Sequence, residues 1–129
     1  NIALAYEKSN QNKLAIKYYK QGLSYNPVYY LSLMRLGELY RRNGKVKTSM
    51  KYFYRAKTSC AVCYDPIRSL SYNYIALGSP KKAIPLVKTY LKVKEISPKN
   101  KYKGNKLLKY TRKSISQKSR TKKSNSRKY

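Results

Sequence analysis

The sequence predicts an all-α fold, a right-handed α-solenoid of stacked helix-turn-helix repeats with a basic C-terminal extension. Three observations predict it. Tyr6, Tyr40 and Tyr74 stand 34 residues apart, and Ala15, Ser49 and Ala83, like Tyr19, Phe53 and Val87, keep the same interval. Turn-forming residues at Ser9-Asn10-Gln11-Asn12, Asn43-Gly44 and Gly78 break the chain into helix-sized pieces. Within those pieces apolar residues recur at three- and four-residue spacing, the period of one helix face.

The repeats fall at about 1–27, 28–61 and 62–98, and together make one domain over residues 1–98. Asn1 to Ser9 reads as the second half of a helix with Ile2, Ala3 and Tyr6 on one face, so the sequence reads as a fragment with a truncated first repeat. A second helix carries Leu14, Ala15, Tyr18, Tyr19 and Gly22 and stops at Asn26-Pro27, because the residue before proline disfavours the helical region. Ala3 and Ala15 are small enough to let two helices approach to the short end of the ~8–10 Å interaxial range.

The second repeat predicts helices over about Val28–Arg42 and Lys45–Thr58, separated by Asn43-Gly44, a left-handed terminator. Leu33, Leu36, Gly37 and Tyr40 make one inner face, and Met50, Phe53 and Ala56 the other. In the third, Asp65-Pro66 reads as an N-cap followed by proline at the first helical position, with Gly78 as the stop. Ser79-Pro80 opens the last repeat helix through Ala83, Ile84, Val87 and Leu91. Pro85 lies beyond its first turn, where a proline costs about 3 kcal/mol or more, so either the helix kinks there, which is the expectation, or it starts later than Pro80.

This pattern resembles the tetratricopeptide repeat. Leu36-Gly37, Tyr40, Phe53 and Ala56 match its motif, with Ser49 as a small substitute; Ile2-Ala3, Tyr6, Ala15, Tyr19, Gly22 and Pro27 fit in the first copy, and Leu70, Tyr74 and Ala83 in the third. The resemblance covers about residues 1 to 98. It departs at Tyr90, where a small residue is expected, at Val87, which replaces an aromatic, and at a closing proline displaced to Pro66, so the third repeat is expected to pack more loosely. The RNA-binding pentatricopeptide cousins have a 35-residue period, and the strict 34-residue interval here argues against them. Some tetratricopeptide proteins grip a C-terminal carboxylate with Lys, Asn and Arg; Leu4, Arg35, Asp65 and Ser69 occupy those places, so the resemblance does not carry that specificity.

After Pro98 the composition changes: the last 31 residues hold 13 Lys or Arg and no acid. Leu107, Leu108 and Tyr110 predict a capping helix within 99–113, which a solenoid needs to cover its last apolar face. Residues 114–129 read as a basic disordered tail, with too little apolar content to fold alone. Overall, 31 Lys and Arg oppose Glu7, Glu38, Asp65 and Glu95, for a net charge of +27. That balance favours polyanions such as nucleic acid, anionic lipid or acidic proteins, although abundant Lys, Asn, Tyr and Ile also suit an A/T-rich coding sequence. Apolar residues make up 41%, and the aromatics are 16 Tyr and one Phe, which predicts a thin core with wet edges.

Catalysis finds little footing. There is no His, the two cysteines sit in one motif, and four scattered carboxylates assemble no nucleophile–base pair. Glu7, Glu38 and Asp65 read as solvated, or paired with Arg41, Arg42 or Arg68. Neither a metal-spaced cluster nor a Gly-rich phosphate loop is present, so no cofactor or metal is expected. Cys60 and Cys63 form a C-x-x-C at the repeat junction, read either as two half-buried small residues or as a disulfide or shared intermolecular metal half-site.

Binding is the better case. Leu31, Met34, Glu38 and Arg41 recur on the face opposite the packing residues, and Asp65, Arg68, Tyr72 and Ile75 repeat that line one period later. With Leu4 and Glu7 they predict a concave groove for a peptide or helix, unless some of the apolar residues pack against a preceding repeat. Lys13, Lys47 and Lys81, with Lys17 and Lys51, predict a convex basic stripe, either a polyanion contact or a merely solvated face. Lys113, Lys118, Arg120, Lys122 and Lys123 extend it into the tail, where Tyr102, Tyr110 and Tyr129 offer sparse stacking. Two readings follow: a protein-interaction scaffold assisted by the tail, or a nucleic-acid or anionic-surface binder driven by tail and lysines. No uncharged run exceeds roughly a dozen residues, against ~20 for a membrane-crossing helix. The compartment stays open between cytoplasm and export.

Overall fold

A computed structural model describes residues 1–128, with side chains described through Gln117. Among the described residues there are helices and no strand: α1 (Ile2–Lys8), α2 (Asn12–Tyr25), α3 (Tyr30–Arg42), α4 (Val46–Ser59), α5 (Asp65–Ala76), a 3-10 turn (Pro80–Lys82), α6 (Ala83–Leu91) and α7 (Pro98–Lys128). They form two compact units, residues 1–61 and 62–129. In the first, α1 packs on α2, α2 on α3 and α3 on α4; in the second, α5 packs on α6, and α7 lies against α6, the 3-10 turn and α5.

The period seen in the sequence is written into the backbone. Asn10, Gly44 and Gly78 have φ of 62°, 79° and 77°, the left-handed region that ends a helix. Each sits in the same pair of hydrogen bonds. The N–H groups of Gln11, Lys45 and Ser79 donate to the carbonyls of Tyr6, Tyr40 and Tyr74 at 2.9, 2.9 and 2.8 Å, while those of Asn10, Gly44 and Gly78 reach back to Glu7, Arg41 and Ile75. These are three copies of the Schellman arrangement, which satisfies carbonyls that a helix end leaves orphaned.

The turns between hairpins repeat too. Asn26 ends α2 at φ −139°, ψ 90°, and Cys60 ends α4 at φ −141°, ψ 88°. After Asn26 the turn is closed by the Tyr29 N–H donating to the Asn26 carbonyl at 3.2 Å. At the equivalent positions stand Cys60 and Cys63, neither of which is a free thiol.

Two helix starts differ from expectation. Asp65 is the first residue of α5 rather than its cap, and makes no capping bond; its charge still suits the positive end of the helix. At Pro85 the later start is found in place of the expected kink: α6 begins only at Ala83, after the 3-10 turn. Pro85 then falls in the first turn, where backbone N–H groups have no intrahelical partner to lose.

In the first unit the buried core includes Ala3, Ala15, Tyr19, Leu33, Leu36 and Leu39. Tyr6 stacks on Tyr18 with ring centroids 5.4 Å apart, and Tyr40 stacks on Tyr52 at 5.5 Å, one period later. Gly37 is there for Phe53: a Cβ on Gly37 would overlap the Phe53 ring, which is fully buried.

The second unit has its own core of Ile67, Val87, Tyr90 and Leu107. Val87 and Tyr90, the two places where the third repeat departs from the motif, are both buried. Bulk has changed places: where the second repeat pairs large Phe53 with small Ala56, the third pairs smaller Val87 with large Tyr90. The Tyr90 hydroxyl donates to the Val62 carbonyl at 2.8 Å, which satisfies the polar end of a buried ring.

The C-terminal stretch also differs from its reading as a capping helix within 99–113 and disorder over 114–129. A single helix, α7, runs from Pro98 to Lys128. Pro98 takes the first position, and the Ser97 hydroxyl accepts from the Asn100 N–H at 3.1 Å. Leu107 and the buried Thr111 anchor the first half, and a Cβ on Gly104 would come within 2.7 Å of Leu91, so α7 approaches α6 closely there. Neither Gly nor Pro follows Gly104, and Lys, Arg and Gln lose little rotamer freedom in a helix. Once the packed half nucleates the helix, extension costs little.

Candidate partner-binding faces

In the first unit the site is built by α1 and α3. Glu7, near the end of α1, keeps its side chain 9% exposed because three groups converge on it. The Tyr19 hydroxyl donates to Oε1 at 2.9 Å, Arg42 Nη2 donates to Oε2 at 3.0 Å, and Arg35 Nη1 reaches the same oxygen at 3.5 Å. Burial, then the hydrogen bond to the carboxylate and its charge, push the Tyr19 hydroxyl up to about 12. Arg35 and Arg42 are seven residues apart on α3, two turns of one face, and both stay half exposed. Of the partners read for Glu7, Arg42 is found; Arg35 was missed as a partner, although its place two turns before Arg42 was visible in the sequence.

The predicted face on α3 is only partly an exposed one. Leu31 is 43% exposed, and Glu38 accepts from Arg41 at 2.7 Å. Met34 instead packs against the core, so a charge placed there would test stability before binding. Beside Leu31 lies a feature that sequence reasoning missed: Tyr25, Val28 and Tyr29 are exposed in succession, Tyr25 to 84%. The stretch is held in shape. Arg55 Nη2 donates to the Pro27 carbonyl at 2.9 Å, and the Asn26 side chain accepts from the Val28 N–H. The signal was the apolar run Val28-Tyr29-Tyr30-Leu31 directly after a proline, read there only as a helix start.

In the second unit the predicted residues lie on α5. Asp65, Arg68 and Tyr72 are exposed and Ile75 is half-buried. The Arg68 guanidinium stands 5.0 Å above the Tyr72 ring, whose other neighbour is Tyr110 of α7 at 5.5 Å. Lys13 and Lys47, at the starts of α2 and α4, are exposed in the first unit, and Lys81 and Lys113 are exposed in the second. The side chains of Lys118, Arg120, Lys122, Lys123 and Tyr129 lie outside the described residues. Among the described residues no three of His, Cys, Asp and Glu stand close enough to hold a metal, and no helix is long and apolar enough to cross a membrane.

Hairpins of this length, closed by identical turns and opened by paired small and aromatic residues, are what the comparisons with known proteins identify. The family model of the TT21 fifth ARM repeats domain matches residues 2–83. The chain belongs to this family. Its tetratricopeptide-like fold is shared by solved structures at low identity. One is the Sgt2 TPR domain from Aspergillus fumigatus (TM-score 0.69, 18% identity, 92% of this chain and 77% of that one). Another is YrrB, described as a TPR protein with an unusual peptide-binding site (TM-score 0.64, 18% identity, 91% and 62%). A third is MamA AMB-1 (TM-score 0.63, 19% identity, 75% and 54%), of which the chain spans about half the length. No curated protein matches the chain.

Proposed function

We infer that the chain is a protein-interaction scaffold whose first-helix faces bind a peptide or helical segment. The observation that carries this is the ordered apolar run Tyr25, Val28, Tyr29 and Leu31. Contiguous apolar surface is rare on a monomer and costs solubility, and when its backbone is pinned, as here by Arg55, the ordering entropy of binding is already partly met. The run leads into the α3 face with Glu38 and Arg41, and the Glu7–Arg35–Arg42 cluster lies in the same unit, so one unit carries both apolar anchors and fixed charges. Asp65, Arg68, Tyr72 and Ile75 offer a second face of the same mixed character on α5. YrrB's peptide-binding site, on the same fold, supports this kind of use. Exposed Lys13, Lys47 and Lys81 add long-range attraction to acidic partners.

The test uses the whole chain immobilised in about 0.5 M salt, where exposed charges are largely screened. Proteins captured by the native chain should be lost from a Tyr29→Ser, Leu31→Glu variant of unchanged circular dichroism. An identical captured set on both would remove the reading.

A further inference from the structure

The outer face of α7 is a different kind of surface. Asn105, Lys109, Arg112 and Ser116 follow one another at four-, three- and four-residue steps, with Lys113 beside them, and with half-buried Leu108 they line a shallow open groove along the helix. The buried residues Gly104, Leu107 and Thr111 lie on another side, so this row is turned outward. The sequence of α7 contains no acid, and among the described residues none of its cations is paired with a carboxylate; the three ion pairs described all lie in the first unit. Like charges four residues apart, as at Lys109 and Lys113, repel and weaken the helix that carries them. A ligand that supplies closely spaced anions would remove that cost.

We propose that this face of α7 binds duplex DNA through its phosphates, with the helix lying along the major groove. The row offers cations and neutral hydrogen-bonding groups, and continues N-terminally to a single exposed aromatic, Tyr102, one turn before Asn105. A membrane-surface helix needs a broad apolar face to sink into lipid, and a protein partner a cluster of apolar anchors; half-buried Leu108 and the lone Tyr102, whose ring lies under the Lys106 ammonium, supply neither. DNA needs neither, because phosphate contacts from Lys, Arg, Ser and Asn position a protein on it. An α-helix is about 10–12 Å across, and the B-form major groove is about 12 Å wide. At about 1.5 Å per residue the row from Asn105 to Ser116 spans about 17 Å, a length that a straight helix can lay along the groove. Duplex RNA has a major groove too narrow for such a helix.

The proposal is independent of the scaffold reading. Anisotropy of a labelled random-sequence DNA duplex is titrated with the full chain over a salt series. Binding is expected, and Lys109→Gln, Arg112→Gln, Lys113→Gln together should weaken it by about tenfold or more and lower the salt slope by about two to three. Lys13→Gln, Lys47→Gln, Lys81→Gln removes the same charge elsewhere and should cost far less. Equal losses in the two triple variants would overturn the site in favour of diffuse attraction. Tighter binding of an acidic polypeptide, of duplex RNA or of anionic vesicles would overturn the ligand. Lysine acetylation of the native chain gives a readout that needs no variant: DNA should protect Lys109 and Lys113 and leave Lys13 and Lys47 reactive, and the reverse pattern would overturn the proposal.

Discussion

The two units build the same hairpin from opposite distributions of bulk. In the first, Gly37, Phe53 and Ala56 put a large ring against a bare backbone; in the second, Ser71, Val87 and Tyr90 hold the same three places one period later. Volume is moved by one turn of helix rather than lost, which is why both cores close. The swap has consequences outside its own helix pair. With Tyr90 large, the glycine needed for close approach appears on α7, at Gly104 against Leu91, and the Tyr90 hydroxyl anchors the Val62 carbonyl. A repeat motif therefore prescribes a summed volume at the seam, and leaves the choice of position free.

The largest effect should come from emptying the seam of the first unit. Phe53→Ala should cost about 3–5 kcal/mol, against about 2 kcal/mol for Val87→Ala, because far more buried volume is deleted at the first site. Urea unfolding of each variant checks this, and equal losses would mean that the two seams are not the exchanged solutions described above.

Gly37→Ser should cost about 1–3 kcal/mol, since its Cβ would overlap the Phe53 ring. Adding Phe53→Val and Ala56→Tyr rebuilds the triad of the second unit in the first. The triple variant should be more stable than the sum of its parts, by a coupling of about 1–3 kcal/mol. Strict additivity would show that position, and not total volume, decides the packing.

Much of this was legible. The 34-residue interval marks turns that prove superimposable in torsion angle, and Gly37 and Phe53 were placed on facing surfaces before any contact was known. What was not legible depends on choices between neighbours. Tyr90 read as an intruder because its compensation, Val87, lies three residues away on the same helix and was counted as a second fault. At Pro85 the sequence offers a kink or a later helix start, and the structure takes the later start, at Ala83. Composition reports what a segment can bury alone, and so does not show that residues 114–128 continue a helix whose first half is packed through Leu107 and Thr111. On the candidate faces, Leu31 and Met34 share one period, yet Leu31 is exposed and Met34 packs partly against the core, since a helix face three or four residues wide does not distinguish rim from core. Arg35 is another such case: which carboxylate an arginine meets depends on tertiary contact.

The smallest expected effect concerns pH. In the first unit the Tyr19 hydroxyl is held up to about 12 by burial and by the Glu7 carboxylate it donates to, with Arg35 and Arg42 pulling the other way. Tyr90 in the second unit is also raised, by burial foremost, while the neighbouring Asn100 amide lowers it. Both hydroxyls are raised over the ordinary value of 10.0, so each contributes stability that is complete below pH 10. For Tyr19 it is lost as pH climbs from there through about 12. Glu7→Gln removes the carboxylate charge and should bring Tyr19 down toward the ordinary value, although burial keeps it above; Tyr90 should not move. Ring-resolved NMR titration separates the two. A Tyr19 midpoint unchanged in Glu7→Gln would mean that burial alone sets it, and that the cluster on α1 and α3 holds Arg35 and Arg42 in place without acting on the hydroxyl beneath them.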